Sequence, residues 1–367
     1  MVASAKEDEI TKFRLLAGQV VMTKDSETRD DIGHTAFVSS DFEDVILGYH
    51  CALISPHNGV LDGCYLNALF RTHHIADYLA RNAGGSGQRY YLSESVIRDV
   101  PLCLPPYDAQ LRIAGVLGSI DEKIELNRRK IAELEALAKT IYDYWFVQFD
   151  FPDKNGKPYK SSGGKMVWDE QLKRDMPEGW GVGNLYNIAN FENGLACQKF
   201  RPKDDETSLP VIKIREMHDG INSDTERVSA NIPAKHRITD GDLLFSWSAS
   251  LEAMIWCGGA GGLNQHIFKV TPRGEYSVEY VYRQLASYII TFAKMAEARK
   301  TTMGHITADH IKQSRIILPR GDVLSRFAIG IRPIFDRRIV LRKEIRSLVE
   351  QRDTLLPLLM NGQVEVG

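Results

Sequence analysis

No stretch of this sequence offers about eighteen uninterrupted apolar residues, and the N-terminus, Met1 to Ile10, has no cationic flank ahead of an apolar core. Both absences argue against membrane spanning and secretion and point to a cytoplasmic protein. Cysteine is scarce: Cys51, Cys64, Cys103, Cys197 and Cys257 are scattered and odd in number, with no Cys-Cys or Cys-His pair at metal-ligand spacing. They read as reduced, mostly buried thiols, and no metal site is expected. An excess of one charge is missing too, since 46 Lys and Arg balance 48 Asp and Glu for a net −2. That excludes a polybasic protein whose affinity rests on bulk positive charge, so a nucleic-acid role needs locally concentrated basic groups. What remains is ordinary for a folded chain: 367 residues, 43% hydrophobic and 26% charged, with room for roughly two to three domains.

Catalytic constellations are missing as well. Leu104-Pro105-Pro106-Tyr107 is similar to the Asn/Asp-Pro-Pro-Tyr/Phe signature of amino-methyltransferases, but that signature needs an amide or carboxylate to hold the target amine, and Leu104 offers neither. Gly258-Gly259-Ala260-Gly261-Gly262 lacks the following Lys-Ser/Thr of a phosphate loop and reads as a flexible turn. His73 and His74 are adjacent and diverge on a helix, while His305 and His310 are five apart.

What the chain does contain is an internal repeat with a period of about 215 residues. Leu47-Gly48-Tyr49-His50-Cys51-Ala52-Leu53-Ile54-Ser55-Pro56 lines up with Leu263-Asn264-Gln265-His266-Ile267-Phe268-Lys269-Val270-Thr271-Pro272, sharing the Leu, the His and the final Pro. Downstream, Tyr91-Leu92-Ser93 parallels His305-Ile306-Thr307, Val96-Ile97 parallels His310-Ile311, and Leu104-Pro105 parallels Leu318-Pro319. Upstream, Gly18-Gln19-Val20-Val21-Met22 is the counterpart of Gly241-Asp242-Leu243-Leu244-Phe245. The second unit opens at Met176-Pro177-Glu178-Gly179-Trp180, about 55 residues earlier, and the first lacks nearly all of that opening. Either its module is trimmed, or the chain starts downstream of a longer ancestral N-terminus. The modules mix strand-like runs such as Val20-Val21-Met22 and Val211-Ile212-Lys213-Ile214 with helical patterns at 65–82 and 278–298, which predicts an α+β fold.

Each module is followed by a long helical pattern. From Tyr107 to Val147, Leu117, Ile120, Ile124, Ile131, Leu134, Ala138, Ile141 and Trp145 alternate steps of three and four, and Asn127 fills the one gap. Such a heptad seam predicts a helix packed along another, with the buried Asn fixing register at a cost in stability. The bland alternative is an amphipathic helix lying on its own domain. A second seam, from about Asp322 to Met360, carries Leu324, Phe327, Ile331, Ile334, Leu341, Ile345, Leu348 and Leu355. It is broken by Arg338 and Arg352 and should be kinked or interrupted at Pro333. Paired antiparallel as a coiled coil, the two helices would join the modules about a pseudo-twofold axis. Between the first helix and the second module, Phe149 to Gly164 is a Pro, Gly, Ser and Lys-rich connector. The aromatics before and within it, Tyr142, Tyr144, Trp145, Phe146, Phe149 and Phe151, are either local core or a docking patch.

Taken together, Leu104-Pro105-Pro106, Gln110-Leu111-Arg112-Ile113-Ala114, Ile120-Asp121-Glu122-Lys123-Ile124-Glu125-Leu126-Asn127-Arg128-Arg129, Tyr144-Trp145-Phe146-Val147-Gln148-Phe149-Asp150-Phe151-Pro152 and Pro177-Glu178-Gly179-Trp180 resemble the specificity subunit of type I restriction-modification systems. The resemblance spans nearly the whole chain. It implies a first target recognition domain at 1–106, shortened at its front, a spacer helix at 107–148, a linker at 149–176, a second recognition domain at 177–320 and a second spacer helix at 321–361. It further implies a non-catalytic subunit that reads a bipartite double-stranded DNA target and docks two copies of a methyltransferase subunit and, through them, a restriction and translocase subunit. No cofactor belongs to this chain under that reading; S-adenosylmethionine, ATP and Mg are expected on the partners. Gln110, Tyr144, Trp145, Phe146 and Phe149 would serve partner docking. The second helix departs from the pattern, with Arg320 to Arg326 offering no counterpart of Gln110.

DNA reading requires Lys or Arg for phosphates and Arg, Asn, Gln or small polar groups for base edges. In the first module the candidates are Lys24, Arg29, His34, Tyr49, His50, Gln88, Arg89 and Tyr90. In the second they are Lys199, Arg201, Lys203, Lys213, Arg215, Lys235, His236, Arg237, Ser246, Trp247, Gln265 and His266, together with Arg299, Lys300, Thr301 and Thr302, the strongest run. Two further readings stay open: a subunit that reads one half-site as a homodimer, and an autonomous DNA-modifying enzyme.

Overall fold

Val20 and Met22 are fully buried while Val21 and Thr23 are half-buried. This is the period-two pattern of a strand with one face on a core. The strand, β1 (Val20–Thr23), lies at the centre of one of two units in the computed structural model, which describes residues 6–85, 87–248, 250–298 and 306–366. Unit 1 comprises Met1–Leu126 with Ser347–Gly367, and unit 2 comprises Asn127–Arg346. No helix among the described residues is long and apolar enough to cross a membrane.

Unit 1 begins with α1 (Glu7–Phe13) and β1, followed by β2 (Asp25–Ser26), β3 (Thr35–Phe37) and β4 (Cys51–Ile54). The helices α2 (Gly63–Phe70) and α3 (His73–Asn82), the short β5 (Gly84–Gly85) and β6 (Tyr90–Tyr91), and α4 (Glu94–Arg98) complete it. One antiparallel sheet has the order β3-β1-β4, with Val20 opposite both Phe37 and Ile54; β2-β6-β5 forms another. Asp62 caps α2 by accepting from the Tyr65 amide at 2.8 Å, and Ser93 caps α4 from the Val96 amide. Tyr65, Leu66, Leu69, Ile75 and Leu79 share one core with Val20 and Met22.

The long α5 (Tyr107–Tyr142) runs from unit 1 into unit 2 and ends in a π-helical turn at Asp143–Val147. Next come the hairpin β7 (Met166–Asp169) and β8 (Arg174–Pro177), then β9 (Gly181–Gly183), the helical turn α6 (Leu185–Ile188) and β10 (Ala189–Asn193). β11 (Ser208–Ile212), α7 (Ile214–Asp219), β12 (Arg227–Ser229) and β13 (Arg237–Ile238) follow. The remainder is β14 (Leu243–Ser246), β15 (Glu252–Ile255), β16 (Gly261–Leu263), β17 (Ile267–Pro272), α8 (Val278–Ala298), α9 (Ala308–Gln313), β18 (Ile316–Leu318) and α10 (Gly321–Met360). The principal sheets are β10-β17-β14-β15 and β12-β11-β16-β13, and β9 pairs with β18.

The sequence repeat is a structural repeat. In β15-β14-β17, Leu243 faces Ile255 and Val270 as Val20 faces Phe37 and Ile54. Four backbone hydrogen bonds recur between counterparts. Gly18 N donates to Val38 O at 2.9 Å and Gly241 N to Trp256 O at 2.8 Å; Val38 N donates to Gln19 O at 2.9 Å and Trp256 N to Asp242 O at 2.8 Å. Lys24 N donates to His50 O at 3.0 Å and Trp247 N to His266 O at 3.3 Å; Leu92 N donates to Lys24 O at 2.8 Å and Ile306 N to Trp247 O at 2.9 Å. Among the described residues, the elements from β9 to β12 have no counterpart in unit 1, matching the missing opening, whereas the antiparallel bridge of Arg14 with Ile46 stands where β13 pairs Arg237 with Gly262.

The two long helices pair antiparallel within each unit. In unit 1, Ile113, Ala114 and Leu117 of α5 share a core with Leu356 and Leu359 of α10. In unit 2, Ala138 and Tyr142 of α5 pack with Phe327, Ile331 and Phe335. Arg338 and Arg352, which break the apolar seam, are met by carboxylates of α5: Glu135 binds Arg338, and Asp121 binds Arg352 at 3.1 Å.

Several expectations are corrected. Helix α10 is not interrupted at Pro333, because the carbonyl that loses its donor belongs to the exposed Ile329 and can bond water while Ile331 and Phe335 stay packed. Gly261 and Gly262 are not a flexible turn but the buried strand β16, where a Cβ would stand 2.6 Å from Ile212 Cγ1 and 2.5 Å from Val228 Cγ1. Residues 149–176 are more than a connector: Phe149 and Phe151 are buried, and β7-β8 lies there. Of the cysteines, Cys197 is buried, Cys103 is exposed and the other three are half-buried.

Candidate nucleic-acid interface

In unit 1, sheet pairing brings six sequence candidates together. β2 lies against β6, which places Asp25 opposite Tyr91 and Ser26 opposite Tyr90. The half-buried Asp25 accepts from His50 Nδ1 at 2.5 Å and lies 3.9 Å from Arg89, whose Nη2 is 2.9 Å from His50 Nδ1. Lys24 Nζ stands 4.8 Å from the centre of the Tyr49 ring, and the Arg29 guanidinium is 5.2 Å from that of Tyr90. The result is a solvent-facing group of Lys24, Arg29, Tyr49, His50, Arg89 and Tyr90, organised by one carboxylate that sequence reasoning missed. No spacing rule marks Asp25; only the pairing of β2 with β6 reveals it. His34, by contrast, is held by Asp31 at 2.7 Å.

In unit 2 the organiser is Asn193 at the end of β10. Its carbonyl lies 3.0 Å from His236 Nδ1, and its side-chain oxygen accepts from Trp247 Nε1 at 3.1 Å. The Trp247 and His266 rings are 5.5 Å apart, and Gln265 Nε2 is 3.4 Å from His266 Nε2. His236, Trp247, Gln265 and His266 therefore converge. Beside them, Tyr186, Asn190, Glu192, Thr271 and Arg273 line a cleft of about 500 Å³.

The repeat register sets the two groups in correspondence. Lys24 and Trp247 each follow the first strand of the frame, and His50 and His266 each precede the partner strand, joined by the same backbone bond. Tyr49 then corresponds to Gln265. One frame thus presents two different sets of side chains at equivalent positions.

Other candidates are engaged elsewhere. Lys213 bonds Glu226 at 2.5 Å, and this bond holds the carboxyl below the usual carboxylate range. Lys235 does the same to Glu192 at 2.8 Å. Both carboxylates stay charged at neutral pH and neutralise their lysines. Arg215 bonds the buried Glu216 at 2.7 Å, Arg237 donates to Ile232 O at 3.1 Å, and Ser246 is buried and accepts from the Glu252 amide at 2.9 Å. Lys199 and Arg201 flank the partly exposed Phe200 and carry no ion pair among the described residues. Arg299, Lys300, Thr301 and Thr302 lie outside the described residues.

The proposed docking residues turn inward. Gln110 is buried: its Oε1 accepts from Asp62 N at 3.0 Å, and its Nε2 donates to Val60 O at 3.0 Å and Pro105 O at 2.9 Å. All its polar capacity goes to clasping the start of α5 to the loop before α2. Phe146 and Phe149 are buried with Trp180, and Trp145 packs on Phe327 at 5.6 Å. Of that set, Tyr144 faces solvent. Asn127 is fully buried, and neither amide atom has a hydrogen-bond partner among the described residues.

Comparison with known proteins agrees with this frame. Residues 7–136 match the family model described as "Type I restriction modification DNA specificity domain". The chain is 25% identical over 328 residues to the type I restriction enzyme MjaIX specificity subunit of Methanocaldococcus jannaschii, covering 85% of this chain and 71% of that one. It is 22% identical to the HindI specificity subunit of Haemophilus influenzae, covering 92% of this chain and 85% of that one. In fold it is similar to the crystal structure of a type I restriction-modification S subunit from M. genitalium, with a TM-score of 0.55, 14% identity, and 95% and 84% of the two chains covered.

Proposed function

The chain belongs to the type I restriction-modification specificity family, and we propose that its two modules read the two halves of a split DNA sequence for a catalytic machinery carried by other subunits. The observation that carries this reading is the duplicated three-strand frame, which sets Lys24, Tyr49 and His50 where the second copy sets Trp247, Gln265 and His266. Lys and Arg suit phosphates, while Gln and His offer donors and acceptors to base edges. Unlike side chains at two of these three equivalent positions, Lys24 against Trp247 and Tyr49 against Gln265, suit two unlike half-sites.

The chain is the non-catalytic, DNA-selecting subunit, and methyltransferase and restriction subunits are its partners. Two methyltransferase copies bind it, one per helix-bearing unit, and the S-adenosylmethionine, ATP and Mg chemistry belongs to those partners. With the aromatic cluster committed to core, docking falls to apolar residues the long helices leave exposed: Leu111 and Leu126 in unit 1, Leu137, Ile329 and Val340 in unit 2. The complete frame in unit 1 favours two readers in one chain over a half-site homodimer.

The test is co-expression with the cognate methyltransferase followed by mapping of methylated adenines across a genome. A split recognition sequence is expected. A continuous, one-part motif would contradict the two-reader proposal, and turnover by the purified chain alone with S-adenosylmethionine would contradict the division of labour.

A further inference from the structure

The two copies of the frame differ in what covers one edge. In unit 2, β10 pairs along the outer edge of β17, from Ala189 opposite Pro272 to Asn193 opposite Phe268. Just before it, α6 buries Leu185 and Ile188 completely, and Leu185 N donates to Ser314 Oγ at 2.9 Å. Ahead of α6, β9 pairs with β18. Beneath this strand–turn–strand segment, Val270, Ile311 and Ile316 are 3%, 0% and 2% exposed.

Among the described residues of unit 1, that place holds no equivalent segment. β4 has β1 on one side and no strand on the other. Leu102-Cys103-Leu104, the counterpart of β18, pairs with no strand. Ile54, Ile97 and Leu102, the counterparts of Val270, Ile311 and Ile316, are only half-buried. They line a groove of about 750 Å³ whose other walls include Leu66, Phe70 and Val100. Lys12 and Lys24 also line it, Arg98 being bonded to Glu94 at 2.6 Å, and the two lysines suit an incoming segment with an acidic residue where β10 has Glu192.

We infer that this groove is a docking site for a strand–turn–strand segment with apolar residues spaced as Leu185, Ile188 and Ala189. The strand edge of β4 supplies main-chain hydrogen bonds, and the pocket supplies side-chain specificity. The internal repeat identifies the occupant, because unit 2 shows the same frame with its segment in place. A second copy of this chain is a poor donor, since its own segment is locked under Leu185 and Ile188. The inference goes beyond DNA reading and does not depend on it.

The experiment adds a fluorescent peptide of residues 177–193 to the full chain. Anisotropy follows binding, and hydrogen exchange with Cys103 alkylation reports the location. Saturable binding is expected, with slowed exchange at residues 51–54 and 102–104 and about tenfold slower alkylation of Cys103. A peptide with Leu185→Asp and Ile188→Asp should bind at least about tenfold more weakly, as should the full chain carrying Ile97→Glu or, if that variant melts early, Leu102→Asp. Protection confined to β17, α9 and β18 would mean that the peptide displaces its own copy in unit 2, and it would overturn the inference. So would the absence of binding. Protection of 51–54 and 102–104 that grows with concentration of the chain alone would assign the groove to a second copy instead.

Discussion

In unit 1 the carboxylate of Asp121 on α5 sits between Arg71, at 3.0 Å, and Arg352 of α10, at 3.1 Å; in unit 2 that of Glu135 sits between Arg283 of α8 and Arg338 of α10. The device is the same: one acid of the first long helix clasped by an arginine of the module and an arginine of the second helix. Its surroundings differ. The unit 2 arginines are 7% and 6% exposed against 29% and 18% in unit 1, Tyr282 also donates to Glu135 at 2.8 Å, and Arg338 lies over the Phe335 ring at 4.8 Å, while the two acids differ less, at 30% and 39%. Solvent screens a half-exposed pair and leaves it worth little, while removing the acid from a buried one strands charge in low dielectric. The clasp of unit 2 is therefore the buried one and that of unit 1 the solvent-screened one.

The largest effect that could break this comparison is at the two acids. Glu135→Ala should destabilise unit 2 by about 3 kcal/mol, the low end for breaking a buried pair because the carboxylate is partly hydrated. Asp121→Ala should cost about 1 kcal/mol or less. Urea unfolding of the two variants gives the ratio, and equal losses would erase the distinction. Next in size is Asn127, whose amide is buried in unit 2 without a partner among the described residues. Asn127→Leu should stabilise by about 1 kcal/mol, because an unpaired polar group is removed at similar volume; a lower unfolding midpoint would show that the amide is satisfied. A third contrast lies within the cations. Each of Lys199→Ala and Arg201→Ala should reduce the slope of log affinity against log salt by about 0.9, whereas Lys213→Ala, already neutralised by Glu226, should leave it unchanged. The mildest test is chemical. Burial pushes the Cys197 thiol of unit 2 and the Cys64 thiol of unit 1 up to about 11, so at pH 8 a maleimide should label the exposed Cys103 first.

Much of the frame was legible because the repeat falls where backbone pairing is strict. Leu47 to Pro56 and Leu263 to Pro272 contain β4 and β17, whose shared register keeps matching residues on matching faces. The two helices were legible from their seams for the same reason. What could not be read was where polar groups find partners across the fold. Arg338 and Arg352 looked like seam breaks because Glu135 and Asp121 lie on another element. Gln110, a hydrophilic residue at a helix start, gives no local sign that Val60, Pro105 and Asp62 consume its amide. The aromatic run ending at Phe151 packs on Trp180 and Phe327, partners distant in sequence. Within the interface, Lys24, His50 and Trp247 were named from chemistry alone, while their organisers Asp25 and Asn193 emerged only from strand pairing.

The central claim is that one frame, used twice, reads two different half-sites. It is tested most directly by profiling the methylation specificity of the assembled complex on a library of split targets, comparing Lys24→Ala with His50→Ala against Trp247→Ala with His266→Ala. The account predicts that the first pair relaxes base preference in one half and the second pair in the other, leaving the spacing between halves unchanged. Relaxation of the same half by both pairs, or of both halves by either, would contradict it.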